Sequence, residues 1–155
     1  MNALTMTHGK QQGVSLIEVL VAAVIIAIGL LGLAGLQTRS LQMNQSAHYR
    51  SQASYYAYDI VDAMRMNEDA AEAGNFDIDM GDSAPTGGSV PKTTLNRWVQ
   101  GIDDSLPTDN TENTGGSVDT TNFPEVTVRV AWVDERWSDD ASDQVREVTV
   151  ETELQ

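Results

Sequence analysis

The sequence predicts an α+β fold in which one long N-terminal helix packs against a small C-terminal antiparallel sheet, the helix being half membrane segment and half amphipathic. Three observations predict it. Residues 19–36, VLVAAVIIAIGLLGLAGL, carry no charged or strongly polar side chain, and as a helix they would measure roughly 27 Å, close to the thickness of a bilayer core. Tyr49, Ala53, Tyr56 and Ile60 then recur at steps of four, three and four, with Ala57 and Met64 beside them, which makes one apolar helical stripe. Near the C-terminus Val126, Val128, Val130 and Trp132 alternate with Thr127, Arg129 and Ala131, and Val148, Val150, Thr152 and Leu154 alternate with Thr149, Glu151 and Glu153, the period of half-buried strands.

The elements follow in order. No Pro occurs before Pro85, so helix-compatible sequence runs from Ser15 to about Met66, a length of about 78 Å if unbroken. Asn44, Ser51, Ser54, Asp62 and Arg65 lie opposite the stripe, which fades before Tyr49 into Gln42, Gln45 and Ser46. Residues 67–92 are acidic, Gly-rich and interrupted by Pro85 and Pro91, and read as loop. Leu95, Trp98, Val99, Ile102 and Leu106 share a helical face, with Thr94 as the expected cap and Pro107 as the stop. Residues 108–122 again read as loop. The tetrapeptide GGSV at 87–90 and 115–118 is ordinary turn material, not a repeat. The acidic stretch from Asp134 to Gln144 joins two antiparallel strands with one buried face, and the helical stripe is the apolar surface large enough to cover it. Of the tryptophans, Trp98 and Trp132 are expected in the core and Trp137 in the loop.

Length and charge bound the function. After the membrane segment, roughly ninety of the 155 residues remain for a small core. There is no Cys, so disulfides and thiolate metal sites are excluded. Beyond Met66 there are 20 Asp and Glu against 5 Lys and Arg. Such a surface repels phosphate backbones, and nucleic acid is excluded as a partner. Lys10 precedes the apolar run while Arg39 and Arg50 follow it, which gives slight support for a cytoplasmic N-terminus.

The N-terminal motif carries the chemistry. Ser15 and Glu18 form S-x-x-E before an apolar run, a capping-box pattern, and a carboxylate there also meets the positive end of the helix dipole. A cap alone accounts for Glu18 and leaves Gly13 unexplained. A polar start ending in Gly, followed by Val14, Ser15, two apolar residues and Glu18, puts a small residue and a cut before the hydrophobic segment. An ordinary secretory signal places its cleavage site after the apolar region. Here cleavage would leave the anchor on the protein.

In these residues the chain resembles the type IV pilin and pseudopilin family, whose class III leader is cut by prepilin peptidase after a Gly, the new N-terminus then being methylated. The resemblance implies a pilin-like fold, cleavage between Gly13 and Val14, N-methylation at Val14, and a subunit-assembly role for Glu18, which would meet the freed amine of a neighbouring subunit. An intramembrane carboxylate is costly, and an opposite charge nearby relieves that cost. The blocks IGLLGLAGLQ from Ile28, YAYDIVDAM from Tyr56, LNRWVQGIDDSLP from Leu95 and VRVAWVDERW from Val128 are similar to the PilV group of minor pilins. The chain departs from the family where Val14 replaces the usual Phe, where the membrane helix has Gly29, Gly32 and Gly35 but no Pro, and where the C-terminal Cys pair of major pilins is missing.

The expected organisation is therefore a leader over 1–13, a membrane-spanning half-helix over 14–36, an amphipathic half over 37–66 and a periplasmic or extracellular globular part over 67–155. The implied function is that of a non-catalytic minor type IV pilin acting in pilus initiation or assembly. The alternatives are a minor pseudopilin of type II secretion and a membrane-anchored periplasmic protein of another kind, an enzyme or binding protein whose apolar segment is only an anchor or an uncleaved signal. Against a removable signal stands Glu18 inside the apolar region, although Gly32 and Ala34 are small enough to permit a cut after Ala34. The implied partners are prepilin peptidase, other minor pilins, the major pilin, a pilus-tip adhesin and the inner membrane. The implied location is the inner membrane in single-pass form, then the pilus. No catalytic set of nucleophile, base and orienter is recognisable, and no cofactor or metal is expected. His48 lies off the stripe and His8 in the leader, away from any ligand set. The run DIDMGD from Asp77 to Asp82 resembles part of a calcium loop but lacks its twelfth-position Glu and reads as a solvated acidic loop. The three helix glycines read first as helix-packing positions and second as a hinge.

Overall fold

A computed structural model of the chain describes residues 15–109, 113–134 and 144–154. The order of elements is α1 (Leu16–Arg65), α2 (Glu68–Glu72), α3 (Val90–Ser105), β1 (Gly115–Asp119), β2 (Glu125–Val133) and β3 (Val145–Glu153). The fold is α+β and pilin-like, with a 50-residue N-terminal helix and a three-stranded antiparallel sheet in the order β1-β2-β3. The chain divides into two compact units, residues 1–41 and 42–155.

In the first unit, α1 is helical from Leu16 onward and leaves its large apolar side chains open, with Leu16 91% and Leu31 74% exposed. Backbone hydrogen bonds within a helix are satisfied locally, which allows the element to stand without a packing partner. It is long and apolar enough to cross a membrane.

The second unit owes its core to the amphipathic stripe. Ala53, Ala57, Ile60, Val61 and Met64 of α1 are buried together with Val126, Val128, Val130 and Trp132 of β2 and with Leu95, Trp98, Val99 and Ile102 of α3. Tyr49 and Tyr56 pack at its border. The expected strand pair is present, with Val128 opposite Val150 and Val130 opposite Val148. Thr149, Glu151 and Glu153 face solvent, as the alternation requires. Ala131 departs from the pattern and is buried.

Three expectations over residues 67–122 are corrected. The segment after Met66 is not all loop: Glu68–Glu72 makes a short helix, and Phe76 and Ile78 are buried in the core. The helix expected after Thr94 begins five residues earlier, at Val90, with Ser89 in place of Thr94 as its N-cap residue and Pro91 in its first turn, where a missing N–H costs nothing. Residues 115–119 are a strand, not loop. Gly116 is central to it, because a Cβ there would collide with the Trp98 ring and Ile102 Cδ1. α3 therefore presses directly on β1. Gly101 serves the same purpose on the helix, where a Cβ would stand 2.8 Å from Tyr56 Cε1. Trp98 is held in this seat by its indole N–H, which donates to the Tyr56 carbonyl at 2.8 Å, and Tyr56 Oη shares a 2.7 Å hydrogen bond with Ser105 Oγ. The two GGSV tetrapeptides adopt different structures, a bend entering α3 and a strand. Trp98 and Trp132 are core residues, and Trp137 lies outside the described residues.

Candidate functional site

The candidate site is the start of α1. Gly13 and Val14 lie outside the described residues. Ser15 precedes the helix, its carbonyl accepts from the backbone N–H of Glu18 at 3.0 Å and of Val19 at 3.3 Å, and its Oγ also accepts from the Glu18 N–H at 3.3 Å. That is the forward half of a capping box, in which the cap hydroxyl satisfies a donor three residues on. It fixes where the helix begins and leaves the Glu18 side chain exposed in the first turn. There it meets the positive end of the dipole of a 50-residue helix, an effect that falls off within a turn.

The surroundings of Glu18 decide its chemistry. Ile17 and Val19 flank it at 71% and 56% exposure, and Leu20 and Val21 follow at 62% and 50%. In water such a surface would be costly, at roughly 25 cal/mol for each Å² of apolar area. In lipid it is at home, and Glu18 becomes the expensive group. A carboxylate on an otherwise lipid-compatible helix demands a cation, a polar partner or the interfacial layer. The residues 29, 32 and 35 have open space where a Cβ would stand.

Elsewhere several polar groups hold loops. Asp77 Oδ1 accepts from the Thr120 backbone N–H at 2.9 Å and from Thr120 Oγ1 at 2.7 Å, tying the acidic segment to the end of β1, beside the bridge between Ile78 and Val118. The Thr121 side chain, and its backbone N–H at 2.9 Å, hold Asp119 below the ordinary carboxylate value. Among the described residues no group of three or more His, Cys, Asp and Glu is placed to hold a metal ion. His48 is exposed, its ring 6.2 Å from that of Tyr49. Ser46 Oγ donates to buried Asp134 at 2.5 Å, linking α1 to the end of β2. Sequence reasoning missed this bond, because a Ser on a fading stripe and an Asp 88 residues later give no joint signal.

No curated protein and no solved structure matches the chain. Residues 8–34 match the family model described as the prokaryotic N-terminal methylation motif, and the open apolar helix and the capped start at Ser15 occupy that span. The match supports a type IV pilin-like, membrane-anchored protein of structural kind, with the motif in its N-terminal segment.

Proposed function

We propose that the chain is a minor type IV pilin of the PilV kind, a non-catalytic subunit that acts in pilus initiation or assembly. Prepilin peptidase cuts between Gly13 and Val14, Val14 becomes the methylated N-terminus, and Glu18 pairs with the corresponding amine of a neighbouring subunit. The observation that carries this reading is a capped helix whose first turn bears a carboxylate among exposed apolar side chains, within a segment matched by the methylation motif. The cap satisfies the helix start without needing a charge. The charge itself is explained by a partner.

The reading also accounts for the long unpaired apolar surface, which first sits in the inner membrane and then meets other helices in a filament, where close packing without water is again available. The globular unit then stands on the periplasmic side and, after assembly, among other minor pilins, the major pilin and a tip adhesin.

The test has two arms in the native host. Intact-mass measurement should show a mature chain beginning at Val14, and Gly13→Val should leave the longer precursor in the membrane. Glu18→Gln should be cleaved and inserted normally, because the Ser15 cap bond goes to the backbone N–H of residue 18 and does not use its side chain. It should nevertheless fall at least tenfold relative to the major subunit in sheared filaments, because breaking a desolvated charge pair costs about 3–5 kcal/mol. Wild-type incorporation of the Gln variant would return Glu18 to a purely local role, and a mature N-terminus near Gly35 would make the segment a removed signal.

A further inference from the structure

The two edges of the sheet are unlike. The β1 edge is closed by the segment at Ile78, whose N–H donates to the Val118 carbonyl at 3.1 Å while the Val118 N–H donates back at 3.0 Å. The β3 edge has no strand partner among the described residues. β3 is nine residues long, pairs with β2 without a bulge along its whole length, and contains no Pro or Lys. Edge strands are ordinarily blunted by shortness, bulges, Pro or charged side chains, because a straight run of free N–H and C=O groups is a template for another strand. Of these devices β3 carries only charge, in Arg146 opposite Trp132 at its start and in Glu147, Glu151 and Glu153 on the solvent side.

The two faces at this edge specify what that strand must carry. On the core side Val148 and Val150 pack against the core but are only half-buried, whereas their partners Val130 and Val128 are fully buried, so among the described residues the apolar row at the edge is incompletely covered. On the solvent side Glu147, Glu151 and Glu153 are exposed. Glu147 is matched by Arg129 at 2.6 Å, while Glu151 and Glu153 make no ion pair among the described residues. Beside them an open recess of about 520 Å³ is bounded by Asp119, Glu125, Glu151 and Glu153.

We propose that the β3 edge is a docking site for an extended segment of a different protein, in which Lys or Arg alternates with apolar residues. The segment adds a fourth strand. Its backbone supplies the hydrogen bonds, its apolar row completes the cover over Val148 and Val150, and its cations lie beside Glu151 and Glu153, one of them reaching the recess. A second copy of this chain does not fit. Pairing β3 with itself either sets Glu against Glu or turns the row of Val148 and Val150 to solvent, because opposed residues share a face. The inference does not depend on the pilin reading.

The test uses the full chain in a non-ionic detergent and a labelled nine-residue peptide of alternating Lys and Val, with binding read by fluorescence anisotropy against micelles alone. Controls are a scrambled peptide of the same composition and two versions N-methylated at every Lys or at every Val, which block opposite backbone edges without changing charge. The alternating peptide should bind at least tenfold more tightly than the scrambled one, and at least one N-methylated version should lose tenfold or more. Glu151→Lys, verified as folded by circular dichroism, should weaken binding at least threefold. If the scrambled or both methylated peptides bind as well as the parent, the acidic surface is merely coated by cations and the strand-addition proposal fails. It fails equally if no peptide binds. Disulfide-linked dimers of Glu151→Cys, forming as fast as the peptide binds, would assign the edge to a second copy instead.

Discussion

Residues 16–36 and residues 53–64 belong to one helix and live in opposite surroundings. Ile25 is 64% exposed and Ile60 is fully buried, yet each is an isoleucine within α1. The difference lies in the neighbours. The first stretch is apolar on every side and needs a solvent that is apolar on every side. The second is apolar along one stripe, where Ala53 and Ala57 keep the surface low enough for other elements to approach. Helical propensity is thus shared by the two stretches, whereas packing is not, and hydrophobic periodicity rather than hydrophobicity separates them.

The same charge placed in each stretch should have opposite consequences. Ile60→Asp puts an unpaired carboxylate in a small core and should cost several kcal/mol against a typical total stability of about 5–15 kcal/mol, unfolding the second unit. Ile25→Asp should leave the denaturation transition of that unit within about 0.5 kcal/mol of wild type. Its cost should appear instead in membrane insertion, on the order of 2.5–3.5 kcal/mol at a helix centre. Urea denaturation followed through the buried Trp98 and Trp132, together with membrane fractionation, measures both. A stability loss from Ile25→Asp equal to that from Ile60→Asp would mean that the two stretches do not differ as described.

A smaller effect sharpens how closely the second unit is packed. Gly116→Ala drives a methyl group into the Trp98 ring and Ile102 Cδ1. Trp98 has little room to give way, since its indole is bonded to the Tyr56 carbonyl. Overpacking of this kind should cost on the order of 1–3 kcal/mol. Gly88→Ala, with open space at its Cβ, should change stability by less than about 0.5 kcal/mol. Equal denaturation midpoints for the two variants would show that α3 does not bear on β1.

Legibility in the sequence follows the same division. The long helix, its stripe and the β2–β3 pair are readable because each repeats a period over many residues. β1 is not readable, because Gly-Gly-Ser-Val-Asp has neither β-branched enrichment nor alternation. Its strand character comes from pairing Val118 with Val128 and from Trp98 closing over Gly116, both long-range facts. The start of α3 at Val90 is not readable, because Thr94 satisfies the usual cap preference while Ser89 followed by Val90 and Pro91 reads as a turn. Phe76 lies alone in a polar segment, with no period to mark it as core. At the candidate site the spacing of Ser15 and Glu18 revealed the cap contact directly, since a cap is local in sequence. The partner proposed for Glu18 belongs to another chain, and no pattern in one sequence contains it.

A pH effect of modest size should arise wholly within the second unit. Asp119 closes β1 and accepts hydrogen bonds from Thr121, first through the side chain and then through the backbone, with burial a slight opposing influence. Both bonds favour the ionised form, so the folded value lies below the ordinary 3.8. A group whose folded value is depressed contributes stability that is fully present above its unfolded value and is lost as pH falls through the folded one. Wild type should therefore exceed Asp119→Asn by a constant margin from pH 7 to pH 5, and the margin should shrink as pH falls below about 4. Comparing urea midpoints of the two proteins at pH 7, 5 and 3 cancels the contribution of the many other carboxylates, which both proteins share. Asp119 is exposed, so solvent screening keeps the margin small. Thr121→Val, which retains the backbone donor and removes the hydroxyl, should reduce the margin without abolishing it. A margin that persisted unchanged at pH 3 would show that Asp119 contributes through the shape of the turn rather than through its charge.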